Sequence, residues 1–215
     1  MLEKLGIYFI DYGKMRDNAI IVDAGACKGT FIEQINEKIE KGKIIAIECD
    51  RENIEALKEK NFPNVTICEK ALMGHKPKKK MIYNQYIGFP ISGTVGYERT
   101  YIKEHRDFKG IRKYEVDTLE INNIFSEFNI DRIDYMKMNI EGSERDILAA
   151  MTEETASRID QISISTHANI LLDLTASSLK ASANIDVIKR LTQLGFKAFR
   201  AGRRLIYGIF ENKEA

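Results

Sequence analysis

The sequence predicts a doubly wound α/β fold, in which helices cover both faces of a mostly parallel sheet. Strand-like and helix-like segments alternate along most of the chain, and such alternation implies parallel strands joined by right-handed crossovers. The length of 215 residues fits one medium-sized domain, and 44% hydrophobic residues suffice for a core. We therefore expect a single three-layer α/β/α domain over residues 1–215, closed by an antiparallel hairpin near its C-terminal end.

The first part of the chain predicts three buried strands separated by two amphipathic helices. The strands are short apolar runs of the kind that fill a parallel sheet, and apolar residues recur at helical spacing between them. Gly42 ends the first helix, Pro63 blocks continuation of the second, and Asp50 is a suitable N-cap for that second helix. The expected ranges are 20–22, 43–48 and 65–68 for the strands, and 30–41 and 51–60 for the helices.

The segment from Met73 to Lys113 interrupts this pattern. It contains turn residues and scattered aromatics without a helical period. Because a structureless loop of this length is uncommon in a compact domain, we expect short antiparallel strands that form a lid or a substrate wall. After this segment the α/β pattern resumes. The expected ranges are 118–128, 143–151 and part of 176–194 for helices, and 133–140, 161–166, 196–199 and 205–210 for strands.

Composition and charge disfavour several classes of protein. Lys plus Arg number 33 against 32 for Asp plus Glu, a formal net charge of +1, so nucleic-acid binding through overall charge is not expected. No apolar run approaches the roughly 20 residues that a membrane-spanning helix needs. Three cysteines do not make a disulfide framework. We expect a cytoplasmic protein with neither membranes nor nucleic acids as partners.

The strongest local signal is the stretch from Val22 to Phe31, where a buried strand enters a glycine turn and a helix leaves it. Gly25 lets the backbone approach a ligand, and Gly29 permits close packing at the start of the helix. An acidic residue about 20 positions further on, at the end of the next strand, is what a ribose diol requires. Glu48 stands there. The combination predicts a nucleoside cofactor.

Asp23 helps to choose among nucleoside cofactors. A carboxylate just before the turn would repel a pyrophosphate, whereas it tolerates a cationic ligand such as S-adenosylmethionine. Ala26 and Cys27 also stand where a dinucleotide fingerprint would carry its second glycine. Asp23 could instead cap the turn through its own backbone amides. A nicotinamide-dependent enzyme of the same fold remains the alternative.

Three polar residues follow later strands at the same expected sheet edge. Asn139 and Glu141 end one strand and point to one face of it, and His167 ends the next strand. Glu141 or His167 could deprotonate a hydroxyl nucleophile. Glu144 is interpreted as a first-turn acid that stabilises a helix N-terminus, for which Ser143 is the expected N-cap.

Cysteines end each of the first three strands, at Cys27, Cys49 and Cys68. These strand ends are expected to be neighbours, so a thiolate metal site is conceivable on position alone. The chain has no Cys-x-x-Cys pair and no histidine close to these cysteines, so no metal site is predicted.

Two of these stretches carry a resemblance to a known family. Residues 22–31 look like an Asp-x-Gly-Ala-x-x-Gly cofactor loop, and residues 136–144 are similar to the motif Lys-x-Asp-x-Glu-Gly-x-Glu. The chain thereby resembles the FkbM-type S-adenosylmethionine-dependent methyltransferases, which implies a Rossmann-like class I methyltransferase fold. The resemblance also implies methylation of a hydroxyl on a small molecule or carbohydrate.

The hypothesis of an S-adenosylmethionine-dependent methyltransferase gives roles to individual residues. Asp23 would face the methionine portion, Glu48 would hold the ribose, and Glu69 or Lys70 would border the adenine. The expected cofactor-binding set is Asp23, Gly25, Ala26, Gly29, Glu48, Cys49, Glu69, Lys70 and Asn139. Asn139 replaces the family's usual aspartate, so a catalytically inactive binding or regulatory protein remains a second alternative. The middle excursion or an oligomer partner would close the site.

Overall fold

The computed structural model describes residues 1–39, 41–74, 79–88, 93–96, 103, 106–167 and 178–211, and the side chains of all these except 178–185. Its centre is a seven-stranded sheet in the order β12-β13-β11-β10-β3-β4-β5. These strands are β3 (Ile20–Ala24), β4 (Lys43–Ile47), β5 (Val65–Cys68), β10 (Tyr135–Met138), β11 (Gln161–Ser165), β12 (Phe196–Arg200) and β13 (Leu205–Phe210).

The predicted parallel sheet with its closing hairpin is confirmed. Strands β3, β4, β5, β10 and β11 run parallel, and β13 is antiparallel to both β11 and β12. Because β10 lies between β3 and β11, the chain order reverses there. Ligands of open α/β sheets bind outside the carboxyl ends of the strands at such a reversal.

Helices connect most of these strands. Their ranges are α1 (Thr30–Asn36), α2 (Arg51–Glu59), α3 (Ile124–Phe128), α4 (Glu144–Ala150), α5 (Glu153–Ser157) and α6 (Ser178–Gln193). The Asp50 side chain caps α2 by accepting hydrogen bonds from two backbone amides, as the sequence predicts. The first helix is shorter than expected, since α1 ends at Asn36 rather than near Lys41.

Part of the middle excursion forms a second, four-stranded sheet. Its strands are β6 (Lys70–Met73), β7 (Lys80–Ile87), β8 (Gly93–Val95) and β9 (Gly110–Glu120), in the order β6-β9-β7-β8. The helix expected over 118–128 is therefore wrong at its start, because Thr118 pairs with Ala71 in this sheet. The predicted antiparallel strands are present, and the excursion also includes ranges outside the described residues.

An N-terminal hairpin was not anticipated from the sequence. Strands β1 (Leu2–Leu5) and β2 (Tyr8–Asp11) pair antiparallel, and β2 packs against β11. The Ser163 hydroxyl donates to the carbonyl of Phe9 at 2.9 Å, and the Gln161 amide exchanges two hydrogen bonds with the backbone of Asp11. The hairpin therefore covers the face of the central sheet next to the cleft described below.

The core lies on both faces of the central sheet. Along β10, Met136 and Met138 join the cluster beneath α4, whereas Tyr135 joins the cluster beneath α1 and the hairpin. Lys137 shares the Tyr135 face, because side chains alternate along a strand. Among the described residues, no helix is long and apolar enough to cross a membrane.

Candidate active site

A cleft of about 250 Å³ opens at the carboxyl ends of β3, β4 and β10. One wall comes from the central sheet and the other from β6, β7 and β8 of the second sheet. Its lining contains backbone, carboxylate, amide and aromatic groups. The lining residues are Gly25, Cys27, Ile47, Glu48, Cys49, Lys70, Ala71, Leu72, Tyr83, Gly93, Thr94, Val95, Asn139, Ile140, Glu141 and Ser143.

The turn after β3 lies very close to the backbone of the loop that follows β10. Gly25 has a φ of +77°, and a Cβ at this position would lie 2.0 Å from the carbonyl oxygen of Asn139. Gly29 has a φ of +83°, and its Cβ would lie 2.8 Å from the side chain of Leu57. Glycine is thus required at both positions for conformation and for space. Ala26 is buried behind the turn rather than in the cleft lining.

Asp23 is fully buried and paired with Lys137, which stands directly opposite on β10. The Lys137 Nζ lies 2.7 Å from the Asp23 Oδ1 and donates to the carbonyl of Gly25 at 2.6 Å. Burial by itself would lower the pKa of Lys137, but the charge and hydrogen bond of Asp23, together with the nearby Tyr8 and Glu48, outweigh burial and raise the pKa above 10.5. Neither carboxylate oxygen bonds a backbone amide. The turn-cap interpretation of Asp23 is therefore wrong.

The Asp23–Lys137 pair weakens the expectation that Asp23 repels a pyrophosphate. Asp23 does not line the cleft, and Lys137 neutralises its carboxylate, so repulsion of a pyrophosphate is much weaker than the sequence alone suggests. Asp23 instead contacts the Gly25 turn through Lys137. Sequence reasoning missed Lys137, although a lysine in an otherwise apolar strand opposite an aspartate is the signal that could have identified it.

Glu48 follows β4 and is held by backbone amides. Its Oε2 accepts from Cys27 at 2.7 Å, and its Oε1 accepts from Cys49 and Asp50, both at 2.8 Å. Burial raises the pKa of Glu48 above 4.5, and these three bonds oppose the rise. The carboxylate is thus fixed in the cleft wall, and Oε2 keeps one acceptor site for a ligand hydroxyl.

The two residues expected to border an adenine, Glu69 and Lys70, lie in different surroundings. Lys70 lines the cleft and forms an ion pair with Glu127. Glu69 is exposed, pairs with Lys58 at 2.9 Å and is absent from the cleft lining. Cys49 does line the cleft, and burial raises the pKa of its thiol well above 9.0, so it is a neutral group there.

Aromatic side chains fix the second sheet against the Glu48 end of the cleft. Tyr83 lines the cleft and packs against Tyr114, with ring centroids 5.3 Å apart. The Tyr114 hydroxyl accepts from the Arg51 amide at 3.1 Å, and the Arg51 guanidinium lies 4.3 Å from the Tyr114 ring centroid. The excursion therefore supplies a wall of the cleft.

Asn139 and Glu141 enter the cleft from the loop after β10. Glu141 has a φ of +58° and is followed by Gly142 at +116°. A non-glycine residue in this left-handed region is strained and is held there by its surroundings. Ser143 occupies the expected N-cap position of α4, but its side chain makes no cap hydrogen bond and the residue lines the cleft.

His167 lies between two carboxylates at the end of β11. Its Nδ1 is 2.8 Å from the Glu144 Oε1, and its Nε2 is 3.5 Å from the Glu141 Oε1. Glu144 is buried, and its Oε1 also accepts from the Ile140 amide at 3.1 Å. A buried carboxylate on one ring nitrogen fixes the orientation of the imidazole, and the second ring nitrogen faces the Glu141 carboxylate.

The sequence predicts only a helix-stabilising role for Glu144 and does not predict its contact with His167. At the sequence level it is indistinguishable from any acid in a first helical turn, and only its proximity to His167 shows a second role. The three thiols, in contrast, do not assemble. Cys27 is exposed, Cys68 is buried, and the described part of the chain contains no group of three metal-binding side chains.

Comparison with known proteins assigns a family to this arrangement. The profile of the methyltransferase FkbM domain family matches residues 23–198. No curated protein sequence matches the chain. The matched range contains every cleft-lining residue and also the His167–Glu144 pair, but not the N-terminal hairpin.

Solved structures share the fold at low sequence identity. The fibrillarin pre-rRNA processing protein of Methanococcus jannaschii is 13% identical with a TM-score of 0.51, over 99% of this chain and 83% of that chain. A fibrillarin/Nop5p complex is 14% identical with a TM-score of 0.50, over 92% of this chain and 74% of that chain. This similarity confirms the predicted class I methyltransferase-like fold.

Proposed function

We propose, from the premise that the chain belongs to the methyltransferase FkbM family, that it transfers a methyl group to a hydroxyl oxygen. The coarser activity, methyl transfer from S-adenosylmethionine, follows from the family. What we propose beyond the family activity is that the acceptor atom is an oxygen, together with the residues that act on it. The acceptor class is a small molecule or carbohydrate.

The cleft fits the cofactor on observations independent of the family. Glu48 presents a fixed carboxylate where ribose hydroxyls need acceptors, and the Gly25 turn lets the backbone contact the ligand. Lys70 and Cys49 lie in the lining around Glu48 and would border the nucleoside. When bound, S-adenosylmethionine supplies a methyl group that its sulfonium has already activated.

The observation that favours oxygen as the acceptor is the His167–Glu144 pair. A hydroxyl must lose its proton as it becomes methylated, so a base beside the acceptor accelerates the reaction. Glu144 holds the Nδ1 side of the imidazole, and Nε2 takes the proton and carries it as imidazolium. Glu141 then stabilises the imidazolium from 3.5 Å. Alignment of the acceptor in the cleft provides the rest of the acceleration.

The first test is calorimetric titration with S-adenosylmethionine, S-adenosylhomocysteine, NAD⁺ and NADP⁺. We expect binding of the two adenosyl ligands only, and Glu48→Ala should weaken it about 10- to 100-fold because hydrogen bonds to a carboxylate are lost. Glu55→Ala, which removes an exposed carboxylate on α2, is the matched control and should change nothing. Binding of the dinucleotides instead would favour the nicotinamide alternative.

The oxygen assignment needs a second experiment. With an acceptor found by screening alcohols, amines and RNA, His167→Gln should lower kcat about 100-fold or more, as loss of a positioned base typically does. Cofactor affinity should stay unchanged. A variant with wild-type kcat on an alcohol, or methyl transfer to amines or RNA alone, would overturn the proposal. Cofactor binding without transfer to any acceptor would favour an inactive regulatory protein.

A further inference from the structure

A turn rich in arginine lies at the same edge of the central sheet as His167. It joins β12 to β13 and contains Arg200, Arg203 and Arg204, whereas the segment 196–210 contains no acidic residue. The turn lies beyond the range that the family profile matches. Its positive charge therefore does not follow from the family assignment and needs an explanation of its own.

The turn is fixed beside the end of β11. The amide and the hydroxyl of Thr166 both donate to the carbonyl of Arg204, at 2.7 and 3.1 Å. The Arg200 guanidinium donates to two carbonyls within the turn, at 2.9 and 3.3 Å, and so braces its backbone. Because Thr166 directly precedes His167, the backbone of Arg204 is held next to the proposed base.

Charge is distributed unevenly around the site. Glu48 and Glu141 line the cleft, where the proposed cofactor would place its positive sulfonium and ammonium groups. His167 lies outside the cleft lining and contacts Glu141 at 3.5 Å, and its other carboxylate partner, Glu144, is buried. The turn adds positive charge beyond His167. An anionic group would therefore be repelled at the cleft and attracted at the turn.

Arg204 is available to bind such a group. Its side chain is exposed and forms no ion pair with any residue that the structure describes. The neighbouring Arg203 is also exposed and adds a second positive charge. A guanidinium presents a planar set of donors that matches a carboxylate or a phosphate through two parallel hydrogen bonds. Arg204 keeps this capacity for a ligand.

We propose that the methyl acceptor is a small hydroxy compound that carries a phosphate or a carboxylate, and that Arg204 binds this anionic group beside His167. The inference rests on the proposed function and narrows its acceptor class. Binding at the turn would hold the acceptor by its charged end and leave its hydroxyl for the base, so that the arginine contributes orientation as well as affinity.

The test compares methyl transfer to hydroxy compounds that differ by one anionic group. One set is glycerol, glycerol 3-phosphate and glycerate, and another is glucose, glucose 6-phosphate and glucuronate. We expect a higher kcat/KM for an anionic member than for its neutral counterpart. Arg204→Gln should lower that preference about 10- to 100-fold, because a charge-assisted hydrogen bond is lost. Arg204→Lys keeps the charge without the paired donors and should restore part of it.

Lys197→Gln is the matched control. It removes a positive charge from the same hairpin at the opposite edge of the sheet, where Lys197 lies 3.4 Å from Glu211, and should behave like the wild type. The melting temperature and the affinity for S-adenosylhomocysteine check that each variant is intact.

Equal transfer to charged and neutral compounds, an acceptor from the screen without an anionic group, or an unchanged preference in Arg204→Gln would overturn the role of the turn. Each of these results leaves the proposed function standing, because a hydroxyl is still methylated. Transfer to RNA alone, or to no hydroxyl compound, would overturn both.

Discussion

Replacing Lys137 by methionine should destabilise the protein strongly, because it leaves the Asp23 carboxylate buried without a partner. Both side chains are almost completely buried, at 4% and 0% exposure, and Nζ lies 2.7 Å from Oδ1. Removing one partner of such a pair costs about 3–5 kcal/mol. For a domain of this size, this corresponds to a fall of about 6–20 °C in melting temperature. The substitution also removes the hydrogen bond from Lys137 to the Gly25 carbonyl, which would loosen the loop after β3.

Urea unfolding of four proteins measures this effect: wild type, Lys137→Met, Asp23→Asn and the double variant. The double variant should be more stable than Lys137→Met, since no uncompensated charge remains. Because the pKa of Lys137 is raised in the folded state, its contribution should be fully present below pH 10.5 and lost as the pH rises through the higher folded value. Lys58→Met, at an exposed pair, is the control. Strictly additive single effects would refute the ion-pair reasoning.

Two further perturbations test the surroundings of the site. Gly25→Ala adds a Cβ 2.0 Å from a backbone oxygen at a φ of +77°, so we expect a lower melting temperature and no measurable cofactor binding by calorimetry; normal binding would contradict the close approach. On acidification, the Arg16→Met variant should begin to unfold at a higher pH than the wild type. Arg16 bonds to the buried Asp134 and helps lower its pKa below 3.8 against the effect of burial. Asp134 therefore contributes stability above pH 3.8 that is lost as the pH falls through its folded pKa, and unchanged acid unfolding followed by circular dichroism would contradict this account.

The central sheet was predictable because its signals are local. Each of its seven strands is a short apolar or alternating run bounded by turn residues, and Asp50 marks the start of α2. The Gly25 turn and Glu48 were predictable for the same reason, since a fixed spacing along β3, α1 and β4 brings them together. Such features depend on neighbours in sequence, which composition and periodicity report directly.

What the sequence could not determine depends on partners far apart in the chain. The hairpin containing Tyr8 is two four-residue strands, too short to be stable alone, and it forms because β11 offers Ser163 and Gln161. Glu144 resembles any first-turn acid until β11 brings His167 to 2.8 Å.

Asp23 combines a position that the sequence predicts with a role that only the tertiary structure determines. Its position at a strand end was readable from the sequence, and this predicted a loop that binds a nucleoside cofactor. Its role was decided by Lys137, 114 positions later, which only the pairing of β3 with β10 places opposite. Sequence thus determined the sheet, the loop and the family, because these follow from local pattern. Tertiary structure decided which charges are paired and which histidine a buried carboxylate orients, because electrostatics depends on distance in space.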